Sequence, residues 1–378
     1  MRKLRVVTLV DRPTVTGGAE RLAVQVAARL DRDRFESVLC ASRRTDEPLL
    51  AAELADAGVE VLNLGRESKL DLRAWRPLVR RLRNGVDVVH AHMFGSNVWG
   101  TVLGRLTSVP VIVAHEHTWS FQGRPVRRFL DRELVGRYAD AFVAVAAEDR
   151  RKMIEVEGVD AEKIRLVPNG IPDPVPGDGG AVRRELRIDA DAPVIGVVCE
   201  LRAQKALEVL FAAAARLRGE LPALKVLVAG DGPEREHLEA EVERLGLEGT
   251  ILLLGIRRDV PALLGALDVA VLSSDYEGSP LSVMEYMAAA KPVVSTRVGG
   301  VPELVAEDVH GLLVEPRDPE ALAEAVARLL RDPALARRLG AEGRRRQQRE
   351  FSLEAMVRRI EDLYEELWLA SGRRGSDE

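Results

Sequence analysis

The stretch Pro168-Asn169-Gly170-Ile171-Pro172-Asp173-Pro174-Val175-Pro176-Gly177-Asp178-Gly179-Gly180 lies near the middle of a chain of 378 residues. Proline cannot continue a helix or donate to a sheet ladder, and Gly, Asn and Asp favour turns, so no regular element runs through it. On both sides of it, short β-branched runs alternate with longer segments of helical period, the pattern of βαβ units and parallel sheets. Before it the expected strands cover 5–10, 37–41, 59–62, 86–90, 109–114 and 141–146; after it they cover 194–198, 224–229, 250–254, 269–272, 292–295 and 311–314. Helical patterns separate them, for example at 206–217, 234–245 and 281–290. The expected fold is α/β with two Rossmann-like, doubly wound domains, 1–172 and 193–350. A linker at 173–192 joins them, and 351–378 forms a helix able to cross back to the first domain, followed by a polar tail. Ligands of open parallel sheets collect beyond the carboxyl ends of the strands, so two such domains facing one another would enclose a cleft.

Composition narrows the function. Fifty-five Lys and Arg against 60 Asp and Glu give a net charge of −5, which is not the footprint of a nucleic-acid binder. Cys40 and Cys199 each sit in an apolar, strand-like run, where a thiol behaves as a small hydrophobe, so neither a disulfide nor a thiolate metal site is expected. The apolar stretch between Arg5 and Asp11 is too short for a secretory signal, and no run is long enough to cross a bilayer. The expected location is the cytoplasm, with attachment to the inner membrane surface open. The arginine-rich stretch 124–137 reads either as a solvated amphipathic helix or as a contact with an anionic membrane or acceptor.

Several strand ends carry chemistry. Gly17-Gly18-Ala19-Glu20 opens a helix after the first strand; it reads as an anion site of free N–H groups or as a plain turn, and it lacks the GxGxxG spacing of a dinucleotide site. Four of the six histidines stand at two strand ends, in Asp87-Val88-Val89-His90-Ala91-His92 and Ala114-His115-Glu116-His117. The HExxH spacing is absent and successive strand residues point to opposite sides, so metal binding is not expected. The expectation is that His92 and His117 face a polar acceptor while the other histidines support loops, with packing histidines as the alternative.

The second half contains Ser273-Ser274-Asp275-Tyr276-Glu277-Gly278-Ser279-Pro280-Leu281-Ser282-Val283-Met284-Glu285. Ser279 is expected to cap a helix starting at Pro280, leaving free N–H groups from Leu281 onward as an anion cradle. Glu277 and Glu285 flank that cradle and can accept hydrogen bonds from sugar hydroxyls. Lys205, in Cys199-Glu200-Leu201-Arg202-Ala203-Gln204-Lys205, can neutralise a departing diphosphate or can be a solvated loop lysine. Gly230-Asp231-Gly232-Pro233 and Gly255-Ile256-Arg257 follow further strands; Arg257 is a candidate contact to a nucleobase. Asp31-Arg32-Asp33 and Asp189-Ala190-Asp191 have the spacing of a metal-holding DxD but read as turn and cap residues.

Taken together, these residues resemble the retaining glycosyltransferases of family 4, whose GT-B fold has two facing Rossmann-like domains. Glu277 and Glu285, separated by seven residues that include Gly278, Ser279, Pro280 and Leu281, carry the likeness most specifically. Gly17-Gly18-Ala19-Glu20, His117, Val167-Pro168-Asn169-Gly170-Ile171 and Gly230-Asp231-Gly232-Pro233 add to it. The resemblance implies a UDP- or GDP-sugar donor on the second domain and an acceptor hydroxyl on the first, from a glycan, a lipid-linked molecule or a small metabolite. Glycan, polysaccharide or glycolipid synthesis is the implied setting. By the same resemblance Glu285 holds the ribose and Glu277 the donor sugar. Lys205, Arg202 and the amides around Ser279, Leu281 and Ser282 hold the diphosphate, Gly17 and Gly18 approach it, and His117 lies beside the transferred sugar. Retention by front-face attack needs neither a protein nucleophile nor a metal, so no cofactor is implied. Glu200 stands in the family's usual arginine slot, and Ala206 stands where glycine commonly follows the lysine. A sugar epimerase or sugar-phosphate synthase of the same fold, or a nucleotide-sugar-binding partner without turnover, are the alternatives.

Overall fold

A computed structural model describes residues 2–13, 18–44, 48–68, 71–117 and 124–372. The chain divides into two compact units, one running to Asn169 and resumed from Leu353, the other Gly170–Ser352. In the first unit the strands are β1 (Leu4–Val10), β2 (Phe35–Ala41), β3 (Glu60–Asn63), β4 (Val88–His92), β5 (Val111–His115), β6 (Ala141–Ala144) and β7 (Ile164–Leu166). They form one parallel sheet in the order β3-β2-β1-β4-β5-β6-β7. In the second, β8 (Val194–Val198), β9 (Lys225–Ala229), β10 (Ile251–Gly255), β11 (Val269–Leu272), β12 (Val293–Thr296) and β13 (Gly311–Val314) form a parallel sheet in the order β10-β9-β8-β11-β12-β13. Both are doubly wound: the order reverses between β1 and β4 in one unit and between β8 and β11 in the other, the switch points where such sheets bind ligands. Strands of this kind are covered on both faces, which is why β4, β5, β11 and β12 are buried along their whole length.

Three expectations need correction. Residues 173–192 are not a bare linker: Gly179–Glu185 is a helix of the second unit, capped by Asp178, whose carboxylate accepts the Ala181 N–H at 3.0 Å. Arg183 fastens it by donating to the carbonyls of Ala190, Ala192 and Ala266. A Pro/Gly-rich composition reports local conformation and is blind to such tertiary anchors. Strand β7 was absent from the sequence reading, since three residues at a sheet edge show no periodicity. The first strand-end histidine pair lies within β4, which runs Val88–His92 rather than 86–90, so His92 is inside the ladder.

The helix Leu353–Ala370 packs on the first unit. Its Glu361 accepts the Asp31 N–H at 2.7 Å and pairs with Arg34, and Trp368 lies under the Arg2 guanidinium. Asp31 in turn accepts the Asp33 N–H at 2.9 Å, confirming a turn in that Asp-x-Asp triplet. Among the described residues no helix is long and apolar enough to cross a membrane.

Candidate active site

In the second unit the loops after β8, β11 and β12 are tied together at the switch point. Lys205 Nζ meets Glu277 Oε1 at 2.7 Å, with the two side chains 16% and 8% exposed, and the Ser274 hydroxyl donates to the same oxygen at 2.6 Å. The backbone holds this pair in place: Ser273 Oγ donates to the Lys205 carbonyl, the Asp275 N–H to the Gln204 carbonyl, and Gln204 Nε2 to the Tyr276 carbonyl. Two glycines make the close approaches possible. A Cβ on Gly299 (φ +50°) would lie 1.7 Å from the Glu277 carbonyl oxygen, and one on Gly230 (φ +135°) would lie 1.8 Å from that of Cys199. The Gly300 N–H then donates to Gly278 and the Thr296 hydroxyl to Ser274, closing the β12 loop onto the β11 loop.

The helix Leu281–Ala288 starts directly behind Glu277. Pro280, which has no side-chain acceptor, occupies its N-cap position in place of the expected Ser279, which is buried one residue upstream. The first N–H groups of a helix have no intrahelical partner, and with the positive end of the helix dipole they favour an anion. Buried Tyr286 fixes the helix to the sheet, its hydroxyl accepting the Val198 N–H at 2.9 Å at the end of β8. Glu285 is half-buried on the same helix.

Lys205, Glu277, Gly278, Ser279, Pro280, Leu281 and Ser282 are thus gathered around one switch point. Two expected partners are engaged elsewhere. Arg202 pairs with Glu200 at 2.8 Å on an exposed loop, each neutralising the other. Arg257 forks between Glu185 and Asp259, and those carboxylates raise its pKa. Ala206 takes the left-handed conformation (φ +45°) that glycine would adopt without strain.

In the first unit β4 and β5 run in parallel with His92 opposite His115. Residues two apart on a strand share a face, so His90, His92, His115 and His117 come together, and the reading that set His92 and His117 apart from the other two is corrected. The His115 and His117 rings stack at 4.3 Å, and those of His90 and His92 lie 4.2 Å apart at a tilt of 36°. His90 Nε2 bonds His115 Nδ1 at 3.1 Å, His92 Nδ1 bonds His117 Nε2 at 3.0 Å, and His90 Nδ1 reaches the Tyr364 hydroxyl at 2.6 Å. Burial, reinforced among the inner three by neighbouring imidazoles, holds His90, His92 and His115 well below the usual histidine pKa, and burial lowers His117 to about 4. All four are neutral at pH 7. Among the described residues His92 Nε2, His115 Nε2 and His117 Nδ1 have no hydrogen-bond partner. His90, His92 and His115 each bring a ring nitrogen within 4.8 Å of the others, a spacing open to a metal ion, although His90 already spends both nitrogens on Tyr364 and His115.

Between the histidines Glu116 points to the other face, where Arg127 bridges it to Asp131. Arg127 therefore faces inward rather than outward from the arginine-rich stretch. Burial raises Glu116 to about 7 and Asp131 to about 6 against the pull of Arg127. Gly18 is the exposed first residue of the helix Gly18–Arg29, and Gly17 lies outside the described residues.

Sequence reasoning missed Ser274, Gly299, Tyr286, Asn97 and Tyr364. Gly299-Gly300 ahead of a proline-started helix was a visible signal; the others had none. Asn97 clasps His115 through both main-chain groups, donating to its carbonyl at 3.2 Å and accepting its N–H at 3.1 Å.

Residues 180–346 match the family model described as glycosyl transferases group 1, and residues 16–173 match the one described as glycosyltransferase family 4. The alpha-maltose-1-phosphate synthase of Mycolicibacterium smegmatis is 32% identical over 73% of this chain and 78% of its own. The UDP-Gal:alpha-D-GlcNAc-diphosphoundecaprenol alpha-1,3-galactosyltransferase of Escherichia coli is 27% identical over 92% of this chain and 93% of its own. Among solved structures, Anabaena HepE in complex with UDP-glucose superposes with a TM-score of 0.85 at 22% identity, covering 96% of this chain and all of that one. The architecture is that of a GT-B glycosyltransferase. The chain belongs to the family 4 glycosyltransferases, matched in both of its halves.

Proposed function

We propose that the protein is a retaining, metal-independent glycosyltransferase that moves a hexosyl group from a UDP- or GDP-sugar to an acceptor hydroxyl in glycan, polysaccharide or glycolipid synthesis. The observation that carries this reading is the buried Lys205–Glu277 pair set before the start of the helix Leu281–Ala288. The bond from the sugar's anomeric carbon to the diphosphate breaks, and the electron pair leaves with the diphosphate. Main-chain N–H groups of Leu281 and Ser282, with Lys205, stabilise that growing charge, and fixed dipoles in a dry site make this a large contribution. Glu277 exchanges part of its contact with Lys205 for donor sugar hydroxyls, and Glu285 holds the ribose. The acceptor oxygen bonds to the anomeric carbon from the face the diphosphate leaves, and its proton passes to a diphosphate oxygen. Neutral His117, whose Nδ1 has no partner among the described residues, serves as a hydrogen-bonding group beside the sugar.

Release of UDP and GDP from a panel of nucleotide sugars tests this. Lys205→Ala and Glu285→Ala are each expected to lower kcat by about 10²-fold or more, the usual cost of losing one charge-stabilising donor. Near-normal rates in both would sink the site. Because Lys205 and the helix start supply the positive potential, EDTA is expected to leave turnover unchanged; a loss restored by added magnesium would overturn metal independence.

A further inference from the structure

The sheet of the first unit carries a second concave feature, at the carboxyl ends of β1, β2 and β3. A cavity of about 590 Å³ is lined by Arg12, Arg43, Arg44, Asn63, Gly65, Arg66 and Glu67. Four guanidinium groups face one lining carboxylate. One more, Asp11, lies behind them, pairing with Arg66 at 2.9 Å and with Arg43 at 3.4 Å. Two carboxylates cannot neutralise four arginines, and Arg12 and Arg44 have no acidic partner among the described residues. Arg66 is 91% buried by its 9% exposure, its guanidinium lies 5.2 Å from the Trp75 ring, and its Nε is buried without a hydrogen-bond partner among the described residues. Buried donors left open beside a cavity are costly unless a ligand completes them.

We propose that this pocket is a binding site for a phosphate or pyrophosphate group, and that the acceptor of the transfer reaction is a phosphorylated molecule seated there. The second clause rests on the transferase reading; the first stands on the pocket. Planar guanidinium groups bind phosphate oxygens in pairs, and a ring-stacked Arg66 holds its plane ready to do so. The volume suits a phosphorylated sugar or the phosphorylated head of a lipid.

The full chain is titrated with pyrophosphate by calorimetry in saturating UDP, which fills the anion site of the second unit. One further pyrophosphate is expected to bind. Arg12→Gln/Arg44→Gln is expected to weaken it about tenfold or more, since the charge-assisted hydrogen bonds of two guanidinium groups are lost. Arg44→Lys is expected to keep part of the affinity, because it retains the charge and loses the planar fork. No binding once UDP is present, or equal binding by the double variant, overturns the proposal. Glucose 1-phosphate and phosphatidylcholine vesicles doped with phosphatidic acid then separate a soluble from a lipid source; either, if lost in the double variant, supports the site. Binding here without nucleotide release from any donor would refute the transferase reading alone, whereas donor turnover by a chain that ignores pyrophosphate would refute the pocket alone.

Discussion

Met93 follows His92 with φ +69° and ψ +157°, a region that glycine enters freely and a side chain enters only under strain. The surroundings enforce it: the Met93 N–H donates to the His115 carbonyl, and the Met93 carbonyl accepts the Asn97 N–H to start the helix Phe94–Leu106. Strain of about 1–3 kcal/mol at such a position exceeds the roughly 0.5–1 kcal/mol that glycine costs through the unfolded chain. Met93→Gly is therefore expected to be at least as stable as the parent in thermal unfolding, and Met93→Ala to be less stable, having lost packing and kept the strain. A glycine variant weaker than the alanine variant would show that the methionine side chain, not the backbone, governs this turn. Lys205 and Glu277 behave differently. Each was legible in the sequence as chemistry at a strand end, but their mutual contact was not, because they stand 72 residues apart and meet only where β8 and β11 are neighbours.

At the scale of elements, the β4–β5 pairing sets the pH response of the first unit. Its imidazoles have folded pKa values below their unfolded ones, so the stability they contribute is present above about pH 6.5 and is lost as pH falls; for His117 the loss is complete below about 4. Glu116 and Asp131 act in the opposite sense. Their folded values are raised, so their contribution is full below the unfolded carboxylate values and fades as pH rises to about 7 and about 6. Four buried imidazoles outweigh two acids that share Arg127, so the unit is expected to melt at a lower temperature at pH 5 than at pH 7. His117→Gln should flatten that dependence by up to about 2 kcal/mol between pH 7 and pH 5, at 1.36 kcal/mol per unit of pKa. A melting temperature rising on acidification would show that Glu116 and Asp131 dominate. The histidine lattice was invisible in sequence for a plain reason. His90, His92, His115 and His117 were all read as strand-end residues, but which of them touch depends on the register of two strands, and a shift of one residue would send the rings to opposite faces.

Over the whole molecule, the chain leaves the first unit at Asn169, builds the second and returns at Leu353. The returning helix gives Tyr364 to His90, 274 residues away in the chain, and Glu361 to Arg34 and to the Asp31 N–H, 330 residues away, and so helps complete the core of the first unit. Truncation after Ser352 is expected to lower the unfolding temperature of the first unit and spare the transition that UDP raises; equal loss in both would mean that the helix stabilises the units together. From the sequence alone came the alternation of strand and helix, the restart after Pro168, the two acids around Gly278 and the lysine that pairs with one of them. These are legible because period, turn chemistry and the spacing of charged groups are local properties of a chain. Tertiary structure alone decided that four histidines share one face, that Arg257 and Arg202 are occupied by carboxylates, and that Arg12, Arg43, Arg44 and Arg66 line one cavity. Such neighbours are brought together by sheet order and register, which couple residues far apart in sequence and leave no trace in the spacing of any one segment.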